Sequence, residues 1–193
     1  MQDRDPNEVA LSRRAVLGAG LAAGPLLISP ARADDAPDPT AAPPQPGDHF
    51  VFLTGPKANQ PVLVEDLPLG GPQMQAFPAA PDGTVRNGTR LNLVILARIG
   101  DDGVDDVTRG HMADGVVAYS GVCTHQACPV NMWSKDAHAF VCSCHGSVYD
   151  PRNGAEVLDG PAPRHLAALP LASKDGMLLA VGGFTGRVGM QMS

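Results

Sequence analysis

The chain has 193 residues, 44% of them hydrophobic, which is enough for one compact domain with its own core. Fourteen lysines and arginines stand against 20 acidic residues, so the chain is mildly acidic. A chain without a basic stripe is a poor match for a nucleic-acid-binding protein, and we expect no nucleic-acid partner.

The first 33 residues have the pattern of an export leader. Arg13 and Arg14 precede an apolar run over 15–29, and Ala-Arg-Ala follows at 31–33. The apolar run is shorter than the roughly 20 residues that a spanning helix needs. The pattern predicts a twin-arginine signal over 1–33, export to the periplasm and cleavage at its end. The alternative is an uncleaved leader that keeps the protein at the membrane.

Residues 34–47, DDAPDPTAAPPQPG, hold five prolines and three acidic residues without periodicity. Such a composition is typical of an extended tether outside a packed core. We expect the folded domain to span 48–193.

From residue 48 onwards, short β-branched and leucine-rich runs alternate with Gly, Pro, Asp and Asn. They predict strands over 49–54, 61–66, 90–99, 115–122, 138–143 and 176–183. One short helix is expected within 104–114. The sequence therefore predicts an all-β fold.

All four cysteines and two of the six histidines lie in a window of 23 residues. They form two boxes, Cys123-x-His125-x-x-Cys128 and Cys142-x-Cys144-His145. Each box has a cysteine and a histidine close enough to converge on one metal centre, and each has one cysteine left over. Two disulfides are one alternative in an oxidising compartment. A zinc site is another, although it would leave two of the six side chains unused.

The two boxes resemble the Rieske iron–sulfur family, whose pattern is C-x-H-x-x-C followed by C-x-C-H-G-S. The resemblance covers roughly residues 115–171. It implies a Rieske-type antiparallel β-sandwich with a small cluster-binding β subdomain inserted, and a [2Fe–2S] cluster as cofactor.

Carried over position by position, the resemblance implies the roles of the cysteines and histidines in the boxes. Cys123 and Cys142 would bind one iron of the cluster. His125 and His145 would bind the other iron. The remaining pair, Cys128 and Cys144, would form a disulfide between the two cluster loops.

The resemblance also implies that the hydroxyls of Ser147 and Tyr149 donate hydrogen bonds to the cluster and to a ligand sulfur. Replacing two thiolates with two imidazoles raises the reduction potential into a range of about −150 to +300 mV. Hydrogen bonds to the sulfurs favour the upper half of that range, because they stabilise the more negative reduced cluster.

Two positions depart from the family pattern. Gln126 and Ala127 stand where the family usually has Leu-Gly, and Ser143 stands where proline is common. In quinol-oxidising members that leucine helps to form the docking face, so a glutamine weakens the quinol interpretation.

The leader pattern predicts export, and the resemblance implies an electron-transfer protein rather than a self-sufficient enzyme. We expect a small subunit or redox partner of a larger periplasmic oxidoreductase, similar to the arsenite oxidase small subunit. The expected partners are a larger subunit, with a molybdenum enzyme as one candidate, and a c-type cytochrome or similar acceptor. The alternative is the Rieske subunit of a cytochrome bc complex. A Rieske-type oxygenase is a poorer match, because the chain has no room for a second iron domain.

The other histidines are expected to lie outside the site. His49, His111 and His138 are expected at the surface. His165 follows Gly-Pro-Ala-Pro at 160–163, which looks like the proline-rich loop that covers the cluster in the family, and we expect a packing or surface role for it.

Overall fold

A computed structural model of the chain describes residues 37–190. The predicted export leader and the first residues of the proline-rich segment lie outside this range. Among the described residues, no helix has the length and apolar character needed to cross a membrane.

Ten strands form two antiparallel sheets in the described part of the chain. They are β1 His49–Phe52, β2 Met74–Ala79, β3 Val94–Arg98, β4 Val116–Ser120, β5 Val130–Ser134, β6 Ala139–Cys142, β7 Val148–Asp150, β8 Glu156–Asp159, β9 Leu171–Lys174 and β10 Met177–Ala180. One sheet has six strands in the order β4-β3-β2-β1-β10-β9, and the other has four in the order β5-β6-β7-β8.

The four-stranded sheet is inserted in the chain between β4 and β9 of the larger sheet. The expected fold class, an antiparallel β fold with a small inserted subdomain, is therefore confirmed. Strands β3 and β4 are buried along almost their whole length, as continuous apolar runs such as Val-Ile-Leu-Ala require.

One apolar cluster joins the two sheets. It contains Tyr119 from β4 and Phe140 from β6, whose rings pack edge to face with centroids 5.9 Å apart. Cys123, Cys142 and Tyr149 belong to the same buried cluster. The two predicted ligand cysteines thus belong to the buried cluster that joins the sheets.

Five of the six predicted strand regions contain an observed strand, and the short helix is present as α1, Asp106–Arg109. The strand expected over 61–66 is wrong. Val64–Asp66 forms a 3₁₀ turn instead, because the Asp66 carboxylate accepts a hydrogen bond from Leu63 N at 2.9 Å and turns the chain. Further 3₁₀ turns lie at Pro39–Ala41 and Arg90–Asn92.

The described part of the proline-rich segment lies against the domain. Gly88 N donates to Thr40 O at 2.9 Å, and Gly47 N donates to Ala180 O at 2.8 Å. Thr40 therefore contacts the connection between β2 and β3, and Gly47 contacts the last residue of β10. The division of the chain at residues 33 and 47 stays a prediction.

Candidate metal centre

Two short loops carry the cysteine and histidine boxes. Loop 1, residues 121–129, connects β4 to β5, and loop 2, residues 143–147, connects β6 to β7. The first box therefore follows β4, whereas the second begins within β6, because Cys142 is the last residue of that strand.

The two loops share one backbone pattern. In loop 1, Cys123 N donates to Cys128 O at 2.8 Å and Ala127 N donates to Cys123 O at 3.0 Å. The equivalent bonds of loop 2 run from Cys142 N to Ser147 O, at 2.9 Å, and from Gly146 N back to Cys142 O, at 3.0 Å. Each loop thus folds back on the first cysteine of its box.

This hydrogen-bond pattern needs a residue with a left-handed backbone conformation four positions after the first cysteine. Loop 2 has Gly146 there, with φ of 75°, whereas loop 1 has Ala127 with φ of 55°. A side chain in this region costs roughly 1–2 kcal/mol. The Ala127 methyl group offsets part of that cost by packing in a small apolar cluster with Leu93 and Val122.

A disulfide joins the two loops. Cys128 and Cys144 are bonded in the structure, with their Cα atoms 6.4 Å apart, as the family resemblance implies. The sulfurs of Cys128, Cys142 and Cys144 lie within 4.8 Å of one another, so the disulfide is in contact with the site. Because two of these three sulfurs are bonded to each other, only Cys142 of this group is free to bind a metal.

Cys123 and Cys142 are free thiols, 1% and 0% exposed. Burial, which disfavours the charged thiolate, raises the pKa of Cys142. The buried Cys142 thiol therefore favours its protonated form unless a cation compensates the thiolate charge. That donor chemistry fits a metal centre.

The two histidines of the boxes face each other. The rings of His125 and His145 are 4.6 Å apart between centroids and nearly perpendicular. His125 is half-buried and His145 is exposed. The Nδ1 atom of His125 is buried and has no hydrogen-bond partner among the described residues. An unpaired buried nitrogen costs about 1–3 kcal/mol, and a metal ion on this atom would remove that cost. The residues therefore fit the iron–sulfur group.

Tyr149 reaches the first cysteine from β7. Its hydroxyl lies 3.1 Å from Cys123 Sγ and accepts a hydrogen bond from Thr124 N at 3.3 Å. Burial, followed by the contact with Cys123, raises the pKa of Tyr149, so the phenol keeps its proton and can donate it to sulfur.

Ser147 is fully buried at the end of loop 2. Its Oγ atom accepts a hydrogen bond from Ala162 N at 3.2 Å, which leaves the hydroxyl proton available as a donor. Gly160 begins the proline-rich loop with φ of 89°, and a methyl group there would lie 2.6 Å from Ser147 Cα. Only glycine lets the proline-rich loop approach loop 2 this closely.

Two residues that support loop 1 from outside, Arg164 and Arg90, have no signal in the local sequence. Thr124 Oγ1 donates to Arg164 O at 2.7 Å, and Arg90 Nη1 donates to Ala127 O at 3.0 Å. These pairs are 40 and 37 positions apart, beyond the reach of any local pattern.

The remaining histidines lie outside the two loops. His138 and His165 are exposed, and His49 and His111 are half-buried. His165 lines a cleft of about 220 Å³ that His111 and Tyr119 also line. The ligands predicted in the boxes are thus brought together, and no other histidine joins them.

Paired thiols and paired imidazoles on two disulfide-linked loops of an antiparallel β fold define an iron–sulfur protein with mixed cysteine and histidine donors. The sequence profile described as Rieske [2Fe-2S] domain matches residues 80–170. The chain belongs to the Rieske [2Fe–2S] family and is an electron-transfer protein that carries a [2Fe–2S] cluster.

Two relatives illustrate the family. A candidate Rieske subunit of a respiratory nitrate reductase from Haloferax mediterranei is 37% identical over 121 residues, 62% of this chain and 52% of the relative. The chain thus spans about half of that protein. The cytochrome bc1 complex Rieske iron-sulfur subunit of Streptomyces lividans is 30% identical over 146 residues, 72% of this chain and 84% of the relative.

Solved structures also match. The ferredoxin of carbazole 1,9a-dioxygenase from Nocardioides aromaticivorans has a TM-score of 0.43 and 17% identity, over 63% of this chain and 93% of that one.

Proposed function

We propose that Cys123 and Cys142 bind one iron of the cluster and that His125 and His145 bind the other. The observation that carries this assignment is that the two loops contain two free, buried thiols and a buried imidazole nitrogen without a hydrogen-bond partner. The disulfide supports it as well, because it removes the other two cysteines as ligands.

When bound, the cluster supplies a one-electron couple. Cys123 and Cys142, whose sulfurs belong to buried residues, would hold it together with His125 and His145. With Cys123 as a thiolate ligand, the Tyr149 hydroxyl at 3.1 Å would be the donor to its sulfur and would favour the reduced state. The exposed His145 leaves the edge of the site at the surface, where an electron donor or acceptor can approach.

We further propose that the chain is exported by the twin-arginine route and serves a larger periplasmic oxidoreductase, as the arsenite oxidase small subunit does. Relatives named as subunits of respiratory complexes support a role as a subunit. The exposed Gln126 on loop 1 supports a partner other than a quinol-oxidising enzyme, since it presents a polar group beside the site. The electron acceptor or donor would be a c-type cytochrome or a similar protein.

A second candidate is the Rieske subunit of a cytochrome bc complex. The observation that favours it is the similarity to the Streptomyces lividans subunit, of which the chain covers 84%. In this case the leader would remain as a membrane anchor.

Isolation of the tagged chain from periplasmic and membrane fractions, with metal and haem analysis of the co-purified subunits, distinguishes these candidates. The first predicts a molybdenum-containing large subunit and a mature chain that starts at Asp34. A b-type cytochrome and an intact N-terminus would support the second candidate instead.

The ligand assignment is tested on the purified chain. We expect about two irons and two acid-labile sulfides per chain, and loss of both in Cys142→Ser. Bound zinc without labile sulfide would contradict the assignment.

A further inference from the structure

The C-terminal strap, residues 185–190, lies against the back of loop 1. It starts where Thr185 N donates to Ala168 O at 2.8 Å. Val188 then packs on the small apolar cluster that contains Val122 and Ala127 of loop 1. Gly189 is buried, with φ of 70°, and a methyl group on it would lie 3.3 Å from Val122 Cγ1 and 3.7 Å from Ala127 Cβ. The strap therefore fits closely over the loop that carries Cys123 and His125.

The side chain of Arg164 holds this strap in place. Its Nη1 donates to Arg187 O at 2.6 Å, and its Nη2 donates to Gly189 O. A guanidinium is suited to this task because its donors lie in a fixed fork, and charged donors make stronger hydrogen bonds than neutral ones.

The backbone of Arg164 is hydrogen-bonded to loop 1. Its carbonyl oxygen accepts a hydrogen bond from Thr124 Oγ1 at 2.7 Å, and Thr124 N donates to the Tyr149 hydroxyl that contacts Cys123 Sγ. One residue thus contacts loop 1 through its main chain and the strap through its side chain.

We propose that Arg164 is a positioning residue that clamps the C-terminal strap onto loop 1, and that this clamp keeps loop 1 closed around the cluster. The inference rests on the proposed ligand set, because Cys123 and His125 are what the loop positions. Loop 1 needs such support, since its left-handed residue is Ala127 and not glycine.

The main test compares Arg164→Gln with Arg187→Gln in the holoprotein. Arg187 is exposed and contributes only its backbone carbonyl to the clamp, so its substitution removes the same charge from the same surface. We expect an iron chelator to bleach the visible absorbance about tenfold faster in Arg164→Gln, because local opening of loop 1 becomes easier. In Arg187→Gln the rate should stay within about twofold of wild type. Equal rates in the two variants would overturn the proposal.

A truncation that ends at Thr185 separates the strap from other effects of Arg164. If the side chain acts only through the strap, the truncated protein should lose its cluster as fast as Arg164→Gln, and combining the two changes should add little. If the increase in the rate of cluster loss in the combined variant equalled the product of the two separate increases, this mechanism would be contradicted. Arg164→Lys, which keeps the charge but not the fork, should fall between wild type and Arg164→Gln.

One spectroscopic and one proteolytic measurement test the clamp separately from the overall stability of the protein. The EPR line shape of the reduced cluster should change in Arg164→Gln and not in Arg187→Gln. Trypsin should release residues 188–193 faster from Arg164→Gln than from wild type, whichever metal the site holds. Faster release together with zinc and no labile sulfide would refute the ligand set and leave the clamp intact. Unchanged release would refute the clamp alone.

Discussion

At the scale of single residues, two buried tyrosines differ in what their hydroxyls contact. Tyr149 and Tyr119 are almost fully buried members of the same apolar cluster. The hydroxyl of Tyr149 lies 3.1 Å from Cys123 Sγ, whereas that of Tyr119 donates to Pro151 O at 3.1 Å. Burial raises the pKa of Tyr119 to about 12, and the pKa of Tyr149 is also raised, so both remain protonated donors.

This difference predicts that only one of the two phenylalanine variants changes the midpoint potential of the cluster. Tyr149→Phe should keep the cluster and lower its midpoint potential by about 50 mV, because the reduced cluster accepts the lost bond more strongly than the oxidised one. For one electron, about 59 mV corresponds to a tenfold change in equilibrium constant, roughly what one charge-assisted bond supplies. Redox titration followed by EPR measures the shift.

Tyr119→Phe is the matched control for that titration. It removes one hydroxyl from the same cluster and should lower stability by about 1 kcal/mol while leaving the potential within about 10 mV. A potential unchanged in Tyr149→Phe would mean that the hydroxyl does not bond to the ligand sulfur.

At the scale of elements, the site could be predicted better than the strands. The two boxes are complete within a few residues each, so their donor chemistry is visible in the sequence. Strand β7 has three residues, too few to show a period, and β2 contains Pro78, which lowers its strand propensity. The contacts of Arg164 and Arg90 with loop 1 arise only when distant segments are brought together by the fold.

The disulfide is the element that fixes the distance between loops 1 and 2. Cys128 and Cys144 are 16 positions apart, and a bridge over a segment of this length contributes roughly 2–4 kcal/mol. Cys128→Ser combined with Cys144→Ser should lower the free energy of unfolding by that amount or release the cluster. Thermal unfolding and visible absorbance of the oxidised protein measure both effects. If mass mapping found both thiols free in the wild type, the ligands and the bridge would have to be reassigned.

Helix α1 begins with a carboxylate cap that predicts a pH dependence. Asp105 accepts hydrogen bonds from Thr108 N at 2.8 Å and Thr108 Oγ1 at 2.9 Å, and these bonds hold the pKa of Asp105 below its usual range. A depressed pKa stabilises the fold above the unfolded value of about 3.9, and this contribution is lost as the pH falls through the folded value.

Asp105→Ala should therefore cost about 1 kcal/mol at pH 7, as the loss of a helix cap does. Asp105→Asn keeps a capping oxygen but cannot ionise. Wild type should be more stable than Asp105→Asn at pH 7, and the difference should shrink below a pH of about 4. Urea unfolding of both proteins across this range measures the difference, and a gap that is independent of pH would contradict the assigned cause.

At the scale of the whole molecule, a buried ion pair ties the proline-rich segment to the large sheet. Asp48 is fully buried, and its two carboxylate oxygens accept hydrogen bonds from Arg86 Nε at 2.5 Å and Arg86 Nη2 at 3.0 Å. The same carboxylate accepts a bond from Gln45 N at 2.7 Å, and Arg86 Nη1 donates to Pro39 O at 3.4 Å. The bond to Asp48 raises the pKa of Arg86, which keeps it charged. The pair thus joins the segment before β1 to the turn after β2.

Removal of one partner should be far more costly at this pair than at an exposed one. Arg86→Gln leaves a buried carboxylate without its cation and should lower the free energy of unfolding by about 3–5 kcal/mol. Lys57→Gln is the control, because Lys57 contacts Asp66 at the same 2.5 Å but is 56% exposed, and it should cost less than about 1 kcal/mol. Adding Asp48→Asn to Arg86→Gln should restore part of the loss, since the unpaired charge is then gone. Urea unfolding of the four proteins measures these differences, and similar losses at the two pairs would show that the segment before β1 is not held by the buried pair.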